Sequence, residues 1–333
     1  MDNDFAMNER NVSTVSVAIA SFNGEKYIKE QLASVMSQTR KPDEVIISDD
    51  NSTDATVAHC ESFKKAAPFR VDIFINEKNV GVTRNFENAL RKCRGDIVFL
   101  CDQDDVWFPN KIETIKDLFN SKSEVLAISN DAIICDENLT ATKYTTIRQN
   151  LAIGRSESAV ISGCCSAFRR EFLEIALPIP QAAEAHDNWL NGLANLLSAR
   201  VICGDALQYY RRHGNNESHD LSSRAERLSS LSLIKQYGLR DAKPGWRNSI
   251  AELQAYVDRI RSTEPRIRAL ELSVDPENVV DGILSKIDAI QNRLQIVDKP
   301  RWKRVFPILS NYINGSYFHF HGLKSAVKDI VRP

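Results

Sequence analysis

From residue 15 to about residue 135, short β-rich apolar runs alternate with stretches of helical spacing. The runs at 15–20, 44–48, 70–75, 96–101 and 125–129 read as buried strands. Between them, apolar positions recur every three or four residues. Ile28, Leu32 and Val35 do so after Gly24, and Val82, Phe86, Ala89, Leu90 and Cys93 after Gly81. Ile112, Ile115, Leu118 and Phe119 follow Pro109 in the same way. Strand–helix–strand alternation predicts an α/β fold, a mostly parallel sheet flanked by helices. Residues 136–220 are less regular. Strands are expected at 159–168 and 201–210, a helix at 186–197, and a polar stretch at 211–220. From about 221 the pattern turns helical. Ile250, Leu253, Val257 and Ile260 mark one amphipathic helix, and Val280, Ile283, Ile287, Ile290 and Leu294 a second. Pro265 and Pro276 are expected to flank their link. The organisation predicted is a domain over 1–220 and a helical C-terminal region over 221–333, suited to an acceptor or membrane-facing surface or to an oligomer interface.

Composition narrows the class. Hydrophobic residues make up 43% of the 333 and charged residues 26%, ordinary values for a globular chain. A formal net charge of -1 gives no global argument for nucleic acid as a partner. No apolar run reaches the length of a membrane span, and the start, MDNDFAMNERN, is polar without an apolar signal core. The seven cysteines form no CxxC pair and sit mostly in apolar stretches. Reduced core cysteines in a cytoplasmic protein are the expectation.

Candidate chemistry lies where such sheets bind ligands, at the carboxyl ends of strands. Asp49 and Asp50 end the second predicted strand. In DIVFLCDQDDVWFPNKI, Asp102, Asp104 and Asp105 end the fourth. Three carboxylates in four residues repel one another, and a hard cation offsets that. Oxygen ligands suit Mn2+ or Mg2+, and Mg2+ is typically held by one or two carboxylates together with substrate phosphates. The turn therefore predicts a phosphate-bearing substrate. In EVIISDDNSTDAT, Ser52, Thr53 and Asp54 offer helix caps, and a carboxylate before them can accept from a nucleobase N–H or a ribose hydroxyl.

Several segments, in order, carry a resemblance. They are VSVAIASFNGEKYIKEQLASVMSQT, DEVIISDDNSTDAT, NVGVTRNFENAL, FLCDQDDVWFPNKI, ISGCCSAFRREFL, AHDNWL and YYRRHGNNES, together spanning 15–218. This ordered set resembles the family 2 glycosyltransferases with the GT-A fold, and most of all bacterial rhamnosyltransferases of surface polysaccharide assembly. The resemblance implies a nucleotide-diphospho-sugar donor, dTDP-rhamnose or a UDP-hexose, and a glycan or lipid-linked acceptor. It implies that Asp50 contacts the base, with Ser21 and Asn23 near the nucleotide. Gly81 and Arg84 match the glycine loop and its basic residue. Asp102 would hold the ribose, Asp104 and Asp105 the metal, and His213 the metal or diphosphate. Asp187 matches the catalytic base. The chain departs from the family pattern at His186, where an acidic residue usually precedes the base; Glu184 lies close by.

Sugar transfer needs charge stabilisation on the leaving diphosphate, a base for the acceptor hydroxyl, and alignment of the two. Arg84, Arg211 and Arg212 are candidate cations. A single base implies inversion at the anomeric carbon. Two rivals use some of the same residues: a haloacid-dehalogenase-like phosphatase and a non-catalytic nucleotide-sugar-binding protein. The first places its acidic motif on the first strand of its domain, not the fourth. Near the C-terminus, Lys299, Arg301, Lys303 and Arg304 cluster beside Trp302, Val305 and Phe306, followed by Tyr312, Tyr317, Phe318 and Phe320. Basic and aromatic residues together suit an anionic membrane surface, which would place the protein at the inner face of the cytoplasmic membrane.

Overall fold

The computed structural model describes residues 13–152, 155–156, 163–214 and 241–332. The first half alternates as the pattern predicts: β1 (Val15–Ser21), α1 (Ile28–Met36), β2 (Glu44–Asp49), α2 (Thr56–Ala66), β3 (Arg70–Ile75), α3 (Val82–Leu90) and β4 (Ile97–Asp102). A two-residue β5 (Val106–Trp107), α4 (Lys111–Ser121), β6 (Ala127–Cys135), β7 (Ala141–Thr145) and α5 (Thr146–Ala152) follow. Then come β8 (Ser166–Arg169), α6 (Arg170–Ala176), α7 (His186–Leu196) and β9 (Arg200–Arg211). The C-terminal region holds α8 (Lys243–Ala269), α9 (Pro276–Val297), α10 (Val305–Ile313) and α11 (Leu323–Val331).

One nine-stranded sheet runs in the order β3-β2-β1-β4-β8-β6-β9-β5, with β7 paired to β6. The quartet β3-β2-β1-β4 is parallel. Beyond it the sheet is mixed: β8 enters antiparallel between β4 and β6, while β6 and β9 pair in parallel. The period of two along each strand sorts side chains to two faces. Val15, Val17 and Ile19 of β1 and Ile97, Phe99 and Cys101 of β4 pack with α1, α2 and α4. Ala18, Ala20, Val98 and Leu100 face the other way, onto Phe86 of α3, Phe172 of α6 and Trp189 of α7. Val257 and Ile260 of α8 and Ile283 and Ile287 of α9 belong to that same second core.

Three expectations need correction. Of the strand expected at 159–168, residues 163–165 form a 3-10 turn and β8 begins at Ser166; residues 159–162 lie outside the described residues, as does 215–220 of the polar stretch. The strand expected to stop at 129 continues as β6 to Cys135. Ser129, Asn130 and Asp131 interrupt its apolar pattern but are buried, and Asp131 accepts hydrogen bonds from Ala132 N, Thr146 Oγ1 and Ile147 N. Third, Pro265 lies inside α8, not in the link. Its missing N–H leaves the Arg261 carbonyl without its helical donor, but both residues are exposed and water can serve there. Buried Ile260 and Ile267 anchor the helix on either side.

All seven cysteines are free and buried. Among the described residues, no helix is long and apolar enough to cross a membrane.

Candidate active site

The site forms where β1, β2 and β4 end together, because their parallel register puts Ser21 beside Asp49 and Ala20 beside Asp102. The first cluster joins the loops after β1 and β2. Ser21 Oγ donates to Asp49 Oδ2 at 2.8 Å, and Asn23 N donates to Ser52 Oγ at 2.9 Å. Asn23, at φ 46, returns the contact by accepting from Thr53 N through its side-chain oxygen. Asp50 is buried and accepts from Asn76 Nδ2, Val80 N and Gly81 N at 2.8–2.9 Å. It thereby fixes the loop that ends at Gly81. That glycine has φ 84 and ψ 158, a conformation that a side chain would strain, and starts α3. Arg84 points elsewhere: its guanidinium pairs with Glu87 and donates to the Ile179 carbonyl at 2.7 Å.

The second cluster is the acidic turn. His213 Nε2 lies 2.9 Å from Asp104 Oδ2, and both side chains are mostly buried. The His213 ring stacks on Tyr27 at 4.6 Å. Asp105 turns inward, where Oδ2 accepts from Gln208 Nε2 at 2.7 Å and Oδ1 from Arg211 N at 3.0 Å. Oxygens of Asp102 and Asp105 and the Cys164 sulfur lie within 4.8 Å of one another. Burial, then the charges of Asp104, Asp105 and Asp187, push the Asp102 carboxyl well above the usual range. Burial and Asp104 push Asp105 up to about 7. Carboxylates raised in this way are groups that a bound cation stabilises as anions. Burial also pushes the Cys164 thiol well up, so it is a protonated and poor ligand for a hard cation.

Asp187 reaches this cluster from the first turn of α7. Its Oδ2 accepts from Gly163 N at 3.1 Å, next to Cys164. Its Oδ1 accepts from Asn188 N at 2.9 Å. The carboxylate therefore serves as a helix N-terminal acceptor and also stands next to the acidic turn. Neighbouring His186 is buried and stacks on Phe86 of α3 at 4.2 Å. Neither ring nitrogen has a hydrogen-bond partner among the described residues. Gly163 leaves it room, since a Cβ there would meet His186 Nε2 at 2.7 Å.

Several residues that hold the site together were not singled out from sequence. Gln103 bridges the two clusters: its amide accepts from Phe22 N at 2.9 Å and donates to Phe22 O at 3.0 Å. Gly24 permits this, because a Cβ would fall 2.1 Å from Gln103 Oε1. Lys111 is buried, donates to Gln208 Oε1 and to the Cys164 carbonyl, and so backs the partner of Asp105. A signal existed, since Lys111 shares the helical phase of Ile115 on the buried side of α4. Arg211, read from sequence as a phosphate cation, is a buried clamp. It pairs with Glu30, donates to the Asp104 and Glu137 carbonyls at 2.7 Å, and lies over the Tyr27 ring.

Residues 16–175 match the family described as Glycosyl transferase family 2. An uncharacterized glycosyltransferase of Nostoc sp. is 27% identical over 241 residues, 67% of this chain and 74% of the relative. The dTDP-rhamnosyl transferase RfbG of Shigella flexneri is 27% identical over 255 residues, 70% of this chain and 85% of its own length. Among solved structures, S. aureus TarS 1-349 in complex with UDP superposes with a TM-score of 0.55 at 17% identity, covering 82% of this chain and 70% of that one.

Proposed function

We propose that the chain, whose residues 16–175 match glycosyl transferase family 2 and whose fold is that of GT-A proteins, transfers a sugar, with inversion, from a nucleotide-diphospho-sugar to a glycan or lipid-linked acceptor of a bacterial surface polysaccharide. The observation that carries the reading is the convergence at the end of β4: the Asp104–His213 pair, half-buried Asp102, and Asp187 tied through Gly163 to the residue beside them.

The residues fit a hard divalent cation. Asp104 and His213 would hold it, with Asp102 facing the ribose or sharing the ion. Asp105 fixes the turn through Gln208 and Arg211, and each of its oxygens keeps a lone pair with which it can share the ion. Bound there, Mn2+ or Mg2+ would neutralise charge developing on the leaving diphosphate. Asp50 and Gly81 shape the wall of the nucleotide site by ordering the loop before α3. Asp187 accepts the proton of the acceptor hydroxyl. Its two N–H donors hold the carboxylate in one orientation. dTDP-rhamnose is the preferred donor, supported by the named activity of RfbG, with UDP-hexoses the next choice.

The test is calorimetric titration of dTDP and UDP, each with and without Mn2+, into wild type, Asp104→Ala and His213→Ala. Metal-dependent binding is expected for wild type. Both variants should lose the metal-dependent part and keep the fold. Failure of well-folded wild type to bind either nucleotide would overturn the reading.

A further inference from the structure

The last two helices show an inverted exposure pattern. Helix α10 has the sequence VFPILSNYI and contains no charged residue. It turns Ile308 inward onto Ile296, Tyr317 and Ala326, yet Val305, Phe306, Leu309 and Ile313 face solvent, Phe306 at 82% and Ile313 at 79% exposure. Helix α11 repeats the arrangement. Ser325, Ala326 and Asp329 face inward, while Leu323, Val327 and Val331, spaced by four, form an exposed stripe. Trp302 before α10 and Phe318 between the helices are also exposed, at 76% and 73%. Scattered exposed apolar residues are normal, but a run of them on neighbouring elements that share one small core marks an interaction face.

Charge identifies the occupant. Lys299, Arg301, Lys303, Lys324 and Lys328 are exposed. The one acidic residue from 299 to 332 is Asp329, fully buried and bound to Arg293 and Tyr317. Arg304, read from sequence as part of the basic cluster, is buried against backbone carbonyls, and Tyr317 is buried too. We propose that the surface formed by α10, α11 and Trp302 docks on an anionic lipid bilayer, its apolar side chains entering the headgroup boundary and its lysines meeting lipid phosphates. A second copy of the chain fits less well, because a two-fold contact through this face brings like charges together. The inference is independent of the transfer reaction and is read without any donor.

Flotation of the full-length chain with vesicles tests it, using phosphatidylcholine alone and a mixture rich in phosphatidylglycerol. Wild type should float with the anionic vesicles only, and less so at high salt. Phe306→Ser/Leu309→Ser/Ile313→Ser and Lys324→Glu/Lys328→Glu change exposed side chains, so the fold should survive, as circular dichroism can verify. Each should weaken binding by roughly tenfold or more. No flotation of monodisperse wild type, or equal flotation of wild type and both variants, overturns the proposal. A wild-type dimer in sedimentation that the Phe306→Ser/Leu309→Ser/Ile313→Ser variant dissociates, without lipid binding, also overturns it and gives the face to a second copy.

Discussion

Asp187 and His186 are neighbours with opposite demands. Asp187 is held by two N–H donors, from Gly163 and Asn188. Asp187→Asn preserves shape but removes the base. Turnover should fall by about 10²–10⁴-fold, with donor affinity by calorimetry nearly unchanged; equal losses in both would make Asp187 a binding residue instead. His186 is pushed below its usual value of 6.5 by burial, with the Asp187 charge opposing. A folded-state value below the unfolded one means that this group's stability contribution is complete above about pH 6.5 and is lost as pH falls through the folded value. His186→Phe removes that loss and keeps the stacking on Phe86. Between pH 7.5 and 5.5, urea midpoints should fall more for wild type than for the variant, by up to about 1.4 kcal/mol per pH unit. Parallel pH profiles would show that His186 does not titrate in this range. The carboxylates of the turn were legible in the sequence because three acids after an apolar strand carry an electrostatic signature. Their packing was not, because the inward turn of Asp105 depends on Gln208 and Arg211, more than a hundred residues away.

At the scale of elements, local periodicity worked where strand and helix each bury one continuous stripe. β1 to β4 and α1 to α4 are of this kind. It failed where polar residues are buried, as along β6 at Ser129, Asn130 and Asp131, and where a breaker is exposed, as at Pro265. The C-terminal cap shows a third case, in which a buried ion pair decides which face of a helix points inward. Asp329 of α11 accepts from Arg293 of α9 at 2.7 and 3.0 Å, and the Arg293 guanidinium lies over the Trp246 and Phe320 rings at 4.3 and 4.2 Å. Without that pair, nothing in LKSAVKDIV would choose its small, polar face over Leu323 and Val327 for the interior. Removing one partner of a buried pair leaves an uncompensated charge and costs about 3–5 kcal/mol. Asp329→Ala should therefore release amide protection across 305–331 in hydrogen exchange, while β1 and β4 stay protected. Unchanged protection in the cap would mean that the cluster of Ile296, Ile308, Tyr317 and Ala326 suffices by itself.

On the scale of the molecule, the question is whether the helical region beyond 220 is an appendage or part of the folding unit. The change of sequence character near 221 argues for a boundary, and the packing argues against independence. Trp189 of α7 stacks on Tyr256 of α8 at 4.4 Å, and Tyr256 Oη donates to the Asn188 carbonyl, one residue from Asp187. Val257, Ile260, Ile267, Val280, Ile283, Ile287 and Ile290 are buried in the core that also holds Phe172, Leu190 and Leu193. At about 1.5–3 kcal/mol for each fully buried side chain of this size, their burial is worth on the order of 10 kcal/mol even as an upper estimate reduced for a compact unfolded state. That is comparable to the whole stability of a typical domain. A fragment of residues 1–220 should therefore expose the outer faces of α6 and α7, bind a hydrophobic dye and elute as aggregate in size exclusion. The full chain should do neither. A monodisperse 1–220 fragment that binds nucleotide with wild-type affinity would show that the sheet domain folds alone and that α8 and α9 only lean on it. The aggregated outcome would tie the position of Asp187 to the C-terminal helices, so that the base is set by packing from the very region whose far end faces the membrane in our proposal.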